Sequence, residues 1–231
     1  MIAHPDHSVN ATILLASASP RRRELIKLVG LPVETTSADI DEVPLPNEQA
    51  DEMARRLSRD KALTVAASFR IPNSTFRIIL ASDTVVSLDG EPLGKPRDTA
   101  DARSMLRRLR GRVHQVYTGI TLLDLSSDRS MTEVACSAVP MRAYTDDEIE
   151  TYIASGDPFD KAGAYAIQHD GFSPVENFAQ CYANVMGLPL CHVVHALRQL
   201  GVVVPHDVPT LCQQHIRYQC PVFESVLTSN E

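Results

Sequence analysis

Basic side chains gather at one predicted turn of this chain, and they indicate chemistry on an anion. The segment ILLASASPRRRELIKLVG, residues 13–30, has a short apolar run, a Ser-Ala-Ser-Pro break and then a helical pattern. Ser17, Ser19 and the arginines at 21–23 therefore cluster where a helix begins, and its free N–H groups attract anions. Three arginines conflict with the positive end of the helix dipole, and a bound polyphosphate would remove that conflict. The alternative is an ordinary βα unit with a solvated basic turn.

A second group of chemically capable residues follows the apolar run FRIILASD, residues 76–83. Asp83 is predicted to end a buried strand, which is the usual place for catalysis in open α/β sheets. We interpret it as a general base, the alternative being a capping or sheet-edge acid. Lys95 lies in the tight turn LGKP, which can project its ammonium group toward the same place. Cations with one or two carboxylates, and no Ser-His-acid set, favour phosphate chemistry.

Composition and missing motifs exclude several other classes of protein. The chain has no GxxxxGK[ST] loop and no dinucleotide fingerprint, so neither a P-loop NTPase nor a Rossmann enzyme is supported. A net charge of −7 argues against a general nucleic-acid binder, and no apolar run approaches a membrane span. Five cysteines without a CxxC pair or a secretory signal predict reduced thiols in the cytoplasm. Cys191, His192 and His195 suggest zinc, but further spaced ligands are lacking.

The elements that position these residues predict one α/β domain, for which 231 residues suffice. Ser19 is expected to cap the first helix, Pro20 to begin it and Gly30 to stop it. Further helices are predicted at 47–69, at 99–110 with Thr99 as cap, from a capping box at Thr145, and after the Gly-Leu-Pro at 187–189. Strands are predicted at 13–16, within 32–46, at 76–83 with a following hairpin that turns at 89–90, and within 111–125 and 131–144.

We expect three parts along the chain. Residues 1–12 are predicted to be an irregular leader, 13–204 the folded domain and 205–231 a tail of unplaced role. His114 is interpreted as a structural residue near a sheet edge, and the arginines of residues 103–110 as a solvated helix face.

Several motifs resemble those of the Maf family of nucleoside triphosphate pyrophosphatases. They are LLASASPRRREL, the SDT…LGKP block and DKAGAYAIQ, and RLSRDKA is similar to the family's RLAxxKA element. The resemblance covers roughly residues 13–201. It implies a Maf/Ham1-like (ITPase-like) α/β fold, in which a central mixed twisted sheet is flanked by helices and the active-site cleft lies between two lobes. The chain departs from the pattern after Gln168, where His169-Asp170-Gly171 replaces a direct glycine.

The resemblance also implies a site and a reaction. Lys61 would reach the phosphates, and Glu42 of the acidic pair Asp41-Glu42 would join Asp83 in holding Mg²⁺ or Mn²⁺, since carboxylates plus phosphates suit magnesium. The predicted catalytic residues are Asp83, Lys95, Lys61 and Glu42, and the predicted substrate-binding residues are Ser17, Arg21, Arg22, Thr84, Lys161 and Gln168. Asp83 would deprotonate water for attack on the α-phosphorus, and the products would be a nucleoside monophosphate and pyrophosphate.

Three markers favour one branch of the family. Ser19-Pro20-Arg21, Asp83-Thr84 and Ile167-Gln168 resemble the pyrophosphatases acting on dTTP and UTP, with modified pyrimidine nucleotides as further substrates. The resemblance implies a nucleoside triphosphate substrate and a homodimer. The alternatives are the branch that acts on 7-methyl-GTP and a non-catalytic nucleotide-binding regulator of cell division. An intact Asp83 argues against the regulator, because a binder does not need a general base.

Overall fold

The computed structural model describes residues 11–69 and 77–229, so most of the predicted leader lies outside the described residues. The strands are β1 (Ile13–Ala16), β2 (Val33–Thr36), β3 (Ile78–Leu88), β4 (Glu91–Leu93), β5 (Val113–Asp124) and β6 (Arg129–Pro140). The helices are α1 (Pro20–Ile26), α2 (Ala50–Phe69), α3 (Thr99–Leu109), α4 (Asp146–Ala154), α5 (Tyr182–Val185), α6 (Leu190–Gln199), α7 (Val208–Ile216) and α8 (Phe223–Thr228). Within these ranges, no helix combines the length and the apolar character that a membrane span requires.

The strands form one mixed sheet in the order β2-β1-β3-β5-β6, and β4 pairs with the end of β3. β1 runs parallel to β2 and to β3, whereas β3, β5 and β6 pair antiparallel. Helices cover both faces of this sheet. The prediction of an α/β fold with a central mixed sheet flanked by helices is confirmed.

Alternate side chains of β1 point into different cores, as expected for a strand buried on both faces. Ile13 and Leu15 join the larger core, which the other helices cover. Leu14 and Ala16 join a smaller core on the opposite face, where α2 packs. At Gly119 of β5 an added Cβ would lie 2.2 Å from the carbonyl oxygen of Ala54, so the absence of a side chain lets α2 approach the sheet closely.

The prediction that a strand ends at Asp83 is wrong, because β3 continues to Leu88. Its parallel partner β1 is the strand that stops, at Ala16 opposite Ala81. Beyond that point β3 pairs with β4 and β5, and Asp83 lies opposite Gly119. Asp83 therefore still lies just past the carboxyl end of the parallel part of the sheet, which is where α/β enzymes place their ligands.

The predicted hairpin turn and one of the two predicted helix caps described next are present in the structure. The hairpin turns at Asp89 and Gly90, both with positive φ (53° and 83°), as a type I′ turn requires. α4 has the predicted capping box between Thr145 and Glu148. α3 is capped by Asp98, whose carboxylate accepts from the amide of Asp101, and not by Thr99.

Residues of the predicted tail form α7 and α8, which pack against α6. Val208 and Cys212 of α7 are buried in the larger core. An added Cβ at Gly30 would lie 2.6 Å from the ring of His206, so this segment also contacts the end of the first helical unit. Part of residues 205–231 thus completes the hydrophobic core.

His114 on β5 is buried, and its Nε2 lies 2.8 Å from the hydroxyl of Tyr165. Burial lowers the pKa of His114 to about 4, from an ordinary value of 6.5. The unfolded chain binds a proton at this histidine below pH 6.5, while the folded protein resists protonation until the pH approaches 4. The folded state therefore loses stability as the pH falls through that window.

We predict that His114→Gln reduces this acid sensitivity, because glutamine can still bond to Tyr165 but takes up no proton. The loss in free energy of unfolding between pH 6.5 and pH 5 should shrink by about 2 kcal/mol. Urea unfolding at the two pH values measures it, and the comparison cancels any pH-independent cost of the substitution. His206→Gln, at an exposed histidine, is the control and should leave the loss unchanged. An unchanged loss in His114→Gln would contradict the prediction.

Candidate functional site

A cleft of about 580 Å³ opens beside the point where β1 stops. Its volume is within the range of small-molecule sites. All ten residues predicted from the sequence line it: Ser17, Arg21, Arg22, Glu42, Lys61, Asp83, Thr84, Lys95, Lys161 and Gln168. They come from segments that are far apart in the chain, so their convergence is a result of the fold. Their individual roles stay predictions.

A lysine between two carboxylates forms the centre of the cleft. The ammonium group of Lys61, on α2, lies 2.5 Å from Asp83 Oδ1 and 2.6 Å from Glu42 Oε1. The side chains of Lys61 and Asp83 are only 11% and 10% exposed, whereas that of Glu42 is 47% exposed. Burial would raise the pKa of Glu42, but the hydrogen bond and charge of Lys61, with the charges of Lys95 and Arg22, hold it below its ordinary value. Both carboxylates therefore face cations.

Asp41 and Glu42, the acidic pair in the loop after β2, have different surroundings. Glu42 points into the cleft, whereas a carboxylate oxygen of Asp41 accepts from the amide of Val43 at 3.0 Å and shapes the loop. Asp41 does not line the cleft.

The turn between β1 and α1 adopts the predicted form with one difference. Ser19 occupies the N-cap position and Pro20 begins the helix, but the side chain of Ser19 makes no cap hydrogen bond. Instead the hydroxyl of Ser17 accepts from the amide of Ser19 at 3.2 Å. Ser17 is thereby held at the wall of the cleft.

The guanidinium of Arg22 is partly buried and is bonded to three protein oxygens. Its guanidinium donates to the carbonyl of Gly187 at 2.8 Å, the carbonyl of Ser82 at 2.7 Å and the hydroxyl of Thr84 at 2.8 Å. Burial lowers the pKa of Arg22, although the charge of Asp83 acts in the opposite direction. The hydrogen bonds of Arg22 thus join α1 to β3 and to the segment after α5, at the cleft.

The other cations of the cleft differ in how they are held. The ammonium group of Lys161 donates to the carbonyl and carboxylate of Asp157 and to the carboxylate of Asp160, at 2.6–2.9 Å. Among residues 11–69 and 77–229, no hydrogen bond or ion pair is found for the side chains of Arg21 and Lys95. These two cations are therefore available to a ligand.

Thr84 and Gln168, two of the residues that mark the dTTP/UTP branch, both line the cleft. Thr84 is partly buried, and its hydroxyl already contacts Arg22 and, at 3.0 Å, the hydroxyl of Thr118. Gln168 is partly exposed. After Gln168 the chain departs from the family pattern, and there the side chain of His169 points away from the cleft. Its ring packs edge-on against Tyr152, and its Nδ1 accepts from the amide of Phe172 at 3.0 Å. The inserted residues thus form a turn behind Gln168 and not a wall of the cleft.

The Gly-Leu-Pro segment was predicted only to precede a helix, but the chain here also forms part of the cleft. Val185, Met186 and Gly187 line the cleft, and the Gly187 carbonyl also accepts from the hydroxyl of Ser82 at 2.8 Å. Gly187 has a φ of +100°, and a Cβ there would lie 3.0 Å from Nε of Arg22. A glycine directly before Leu-Pro was the available signal, since only glycine readily adopts that φ.

In the part of the chain that the structure describes, no group of three or more His, Cys, Asp or Glu side chains is arranged to hold a metal ion. The weak zinc hypothesis at Cys191, His192 and His195 therefore gains no support. Among the carboxylates that line the cleft, Glu42 and Asp83 lie together at Lys61, whereas Asp160 is paired with Lys161.

This fold and cleft define an α/β protein built to hold a polyanion, and comparisons place it in a family. A model described as Maf-like protein matches residues 12–200. The chain belongs to the Maf family.

Three relatives are each named dTTP/UTP pyrophosphatase. That of Citrifermentans bemidjiense is 43% identical over 194 residues, 84% of this chain and 98% of the relative. The protein of Geobacter sulfurreducens is 44% identical over 191 residues, which is 83% of this chain and 97% of the relative. That of Thermomicrobium roseum is 43% identical over 224 residues, 94% and 97% of the chains, so its alignment includes part of residues 205–231. Among solved structures, the Staphylococcus aureus Ham1 protein has a TM-score of 0.41 and 14% identity, over 57% of this chain and 72% of that one.

We predict that Arg22→Lys lowers the free energy of unfolding by about 1.5–3 kcal/mol, because one ammonium group cannot reproduce the three directed hydrogen bonds of the planar guanidinium. Urea unfolding measures it. The matched control is Arg21→Lys, one residue away and without a described partner, for which we expect a change within about 0.5 kcal/mol. Equal losses in the two variants would contradict the interpretation of Arg22.

Proposed function

We propose that this protein is a nucleoside triphosphate pyrophosphatase that hydrolyses dTTP and UTP to the nucleoside monophosphate and pyrophosphate. The observation that carries the proposal is the shared cleft, where five basic side chains from four segments surround Asp83 and Glu42. Hydrolysis at phosphorus depends on charge neutralisation and alignment more than on a covalent nucleophile. The names of the relatives support the same reaction.

In this proposal Arg21, Lys61 and Lys95 bind the triphosphate. This role is supported for Arg21 and Lys95 because both line the cleft and neither has a hydrogen-bond or ion-pair partner among residues 11–69 and 77–229. Lys95 offsets the charge that develops on the leaving pyrophosphate. We assign Arg22 to positioning instead of direct phosphate contact, because its donors already bond to Gly187, Ser82 and Thr84.

Asp83 is the proposed general base, which orients a water molecule and accepts its proton as the oxygen attacks the α-phosphorus. Lys61 fixes the carboxylate, since its ammonium group bridges Asp83 and Glu42. The two carboxylates also fit a magnesium or manganese ion, because they face open space where water and phosphate oxygens can complete the ligand set. When bound, such an ion would neutralise phosphate charge at Glu42 and Asp83.

Gln168 is proposed to select the base. Its side-chain amide offers both a donor and an acceptor, which matches the adjacent N–H and carbonyl of uracil and thymine. The position supports this, since Gln168 is partly exposed at the cleft wall.

We predict that Asp83→Asn lowers kcat for dTTP and UTP by about 10²–10⁴-fold, because the amide cannot accept the proton from water. Nucleotide affinity should change little, since the cations remain. Pyrophosphate release with magnesium gives kcat, and calorimetry gives Kd. Asp41→Asn is the matched control, outside the cleft, and should keep normal kcat.

The wild-type protein is assayed beside it with dTTP, UTP and 7-methyl-GTP, with and without a chelator. Release from the pyrimidine nucleotides only, abolished by chelation and restored by magnesium, supports the proposal. Near-normal turnover in Asp83→Asn would refute the base assignment. Release from 7-methyl-GTP alone would select the other branch, and no release from any nucleotide would select a binding protein.

A second prediction concerns specificity. Gln168→Ala should reduce kcat/KM for UTP and dTTP by about 10–100-fold, since a site built to hydrogen-bond the base loses its donor and acceptor. Steady-state kinetics on each nucleotide measures the ratio. Asp170→Ala, two residues along on the exposed side of the turn, should keep the wild-type ratio. A Gln168→Ala enzyme with unchanged kcat/KM would remove Gln168 from base recognition.

A further inference from the structure

Four of the five cysteines meet at one place, away from the candidate cleft. Cys181, Cys191, Cys212 and Cys220 line a small apolar cavity of about 20 Å³ between α5, α6 and the C-terminal helices. They come from positions as much as 39 residues apart in the sequence. The fifth, Cys136, is exposed on β6 and does not line this cavity. The cysteine cluster is thus a product of the packing of α7 and α8 against α6.

Within the cysteine cluster, Cys181 and Cys220 differ from the other two members because a solute can reach them. The two thiols affect each other: the neighbouring Cys220 raises the pKa of Cys181, and Cys181 lowers the pKa of Cys220. The neighbouring backbone at Val222 and Phe223 lowers the pKa of Cys220 further. Both cysteines are partly exposed. The thiolate is the reactive form of cysteine, so Cys220 has the features of an attacking thiol and Cys181 those of its resolving partner.

The other two members of the cluster are different. Cys191 and Cys212 are buried, and burial raises their pKa values to about 12 and about 11. They therefore stay protonated and unreactive. A metal ion held by the four sulfurs is not supported, since the described residues hold no group of three or more ligands arranged for one. The arrangement of the cysteine cluster therefore favours a redox role for Cys181 and Cys220.

We propose that Cys181 and Cys220 form a reversible disulfide on exposure to hydrogen peroxide, which fastens the C-terminal segment to the start of α5. The Cys220 thiolate attacks one peroxide oxygen, an S–O bond forms as the O–O bond breaks, and the departing hydroxide takes a proton to become water. The Cys181 sulfur then attacks the Cys220 sulfenic acid, the S–S bond forms, and the departing hydroxyl takes the Cys181 proton as a second water. A dithiol reductant reverses the step by exchange.

The position of the pair relates the disulfide to the cleft. α5 begins immediately after Cys181, and the residues at its end, Val185, Met186 and Gly187, form part of the cleft wall. The proposed bond therefore restrains the segment whose Gly187 carbonyl accepts from Arg22. This inference stands on the cysteine geometry and does not depend on the proposed activity.

The test uses the full chain, fully reduced and then exposed to a small excess of hydrogen peroxide. Thiols are alkylated before and after reduction with isotopically distinct reagents, and the peptides are identified by mass spectrometry. We expect the loss of two of the five alkylatable thiols, located at Cys181 and Cys220, an intramolecular link between their peptides, and full recovery with dithiothreitol. Oxidation should also raise the Tm of the wild-type protein.

Matched serine variants complete the test. Cys220→Ser and Cys181→Ser should each abolish the link and the rise in Tm, while Cys136→Ser and Cys212→Ser should keep both. Far-UV circular dichroism identifies any variant that fails to fold, and Cys220→Ala then replaces it. The proposal is overturned by a link between Cys191 and Cys212, by oxidation of Cys220 that leaves Cys181 alkylatable, or by zinc bound to the purified protein with all four thiols protected.

Discussion

The ammonium group of Lys61 between Asp83 and Glu42 is the interaction on which the site depends. It joins α2, β3 and the loop after β2, three elements that share no local sequence signal. Lys61 and Asp83 are nearly buried, so removal of Lys61 would leave the Asp83 carboxylate without this cation, a change that is far more costly than loss of a surface pair. Glu42 is half exposed, which leaves one side of the arrangement open to water and ligand.

The sheet makes that interaction possible through a difference in strand length. β1 stops at Ala16 while β3 continues to Leu88, so the long strand carries Asp83 past the end of its parallel neighbour. The space beyond β1 becomes the cleft. Gly119, opposite Asp83, lets α2 lie close to the sheet, and this brings Lys61 within reach. Arg22 also donates to the carbonyl of Gly187, so hydrogen bonds within the protein fix the position of this cleft-lining segment.

Much of the fold could be predicted from local patterns. Periodicity located the apolar strand β1 and the long helix α2, and turn chemistry located the hairpin at Asp89-Gly90. Boundaries were less accurate: α2 begins at Ala50, three residues after the predicted start, and β3 passes through a charge that looked like an end. A carboxylate interrupts an apolar run in the sequence, but pairing with β5 keeps the strand extended beyond it.

By itself the sequence determined which residues have the chemistry for a phosphate ligand, because residue type, motif spacing and resemblance to a family are all local properties of the chain. It also predicted, with the help of the family resemblance, that Asp83, Lys61 and Arg21 share one site, and all three line the cleft. Only the tertiary structure decided that the guanidinium of Arg22 is used internally and that the tail supplies half of a cysteine cluster. Those facts depend on contacts between segments that are far apart in the sequence. Local sequence patterns do not show which segments pack together, and so they do not show the partners of a side chain.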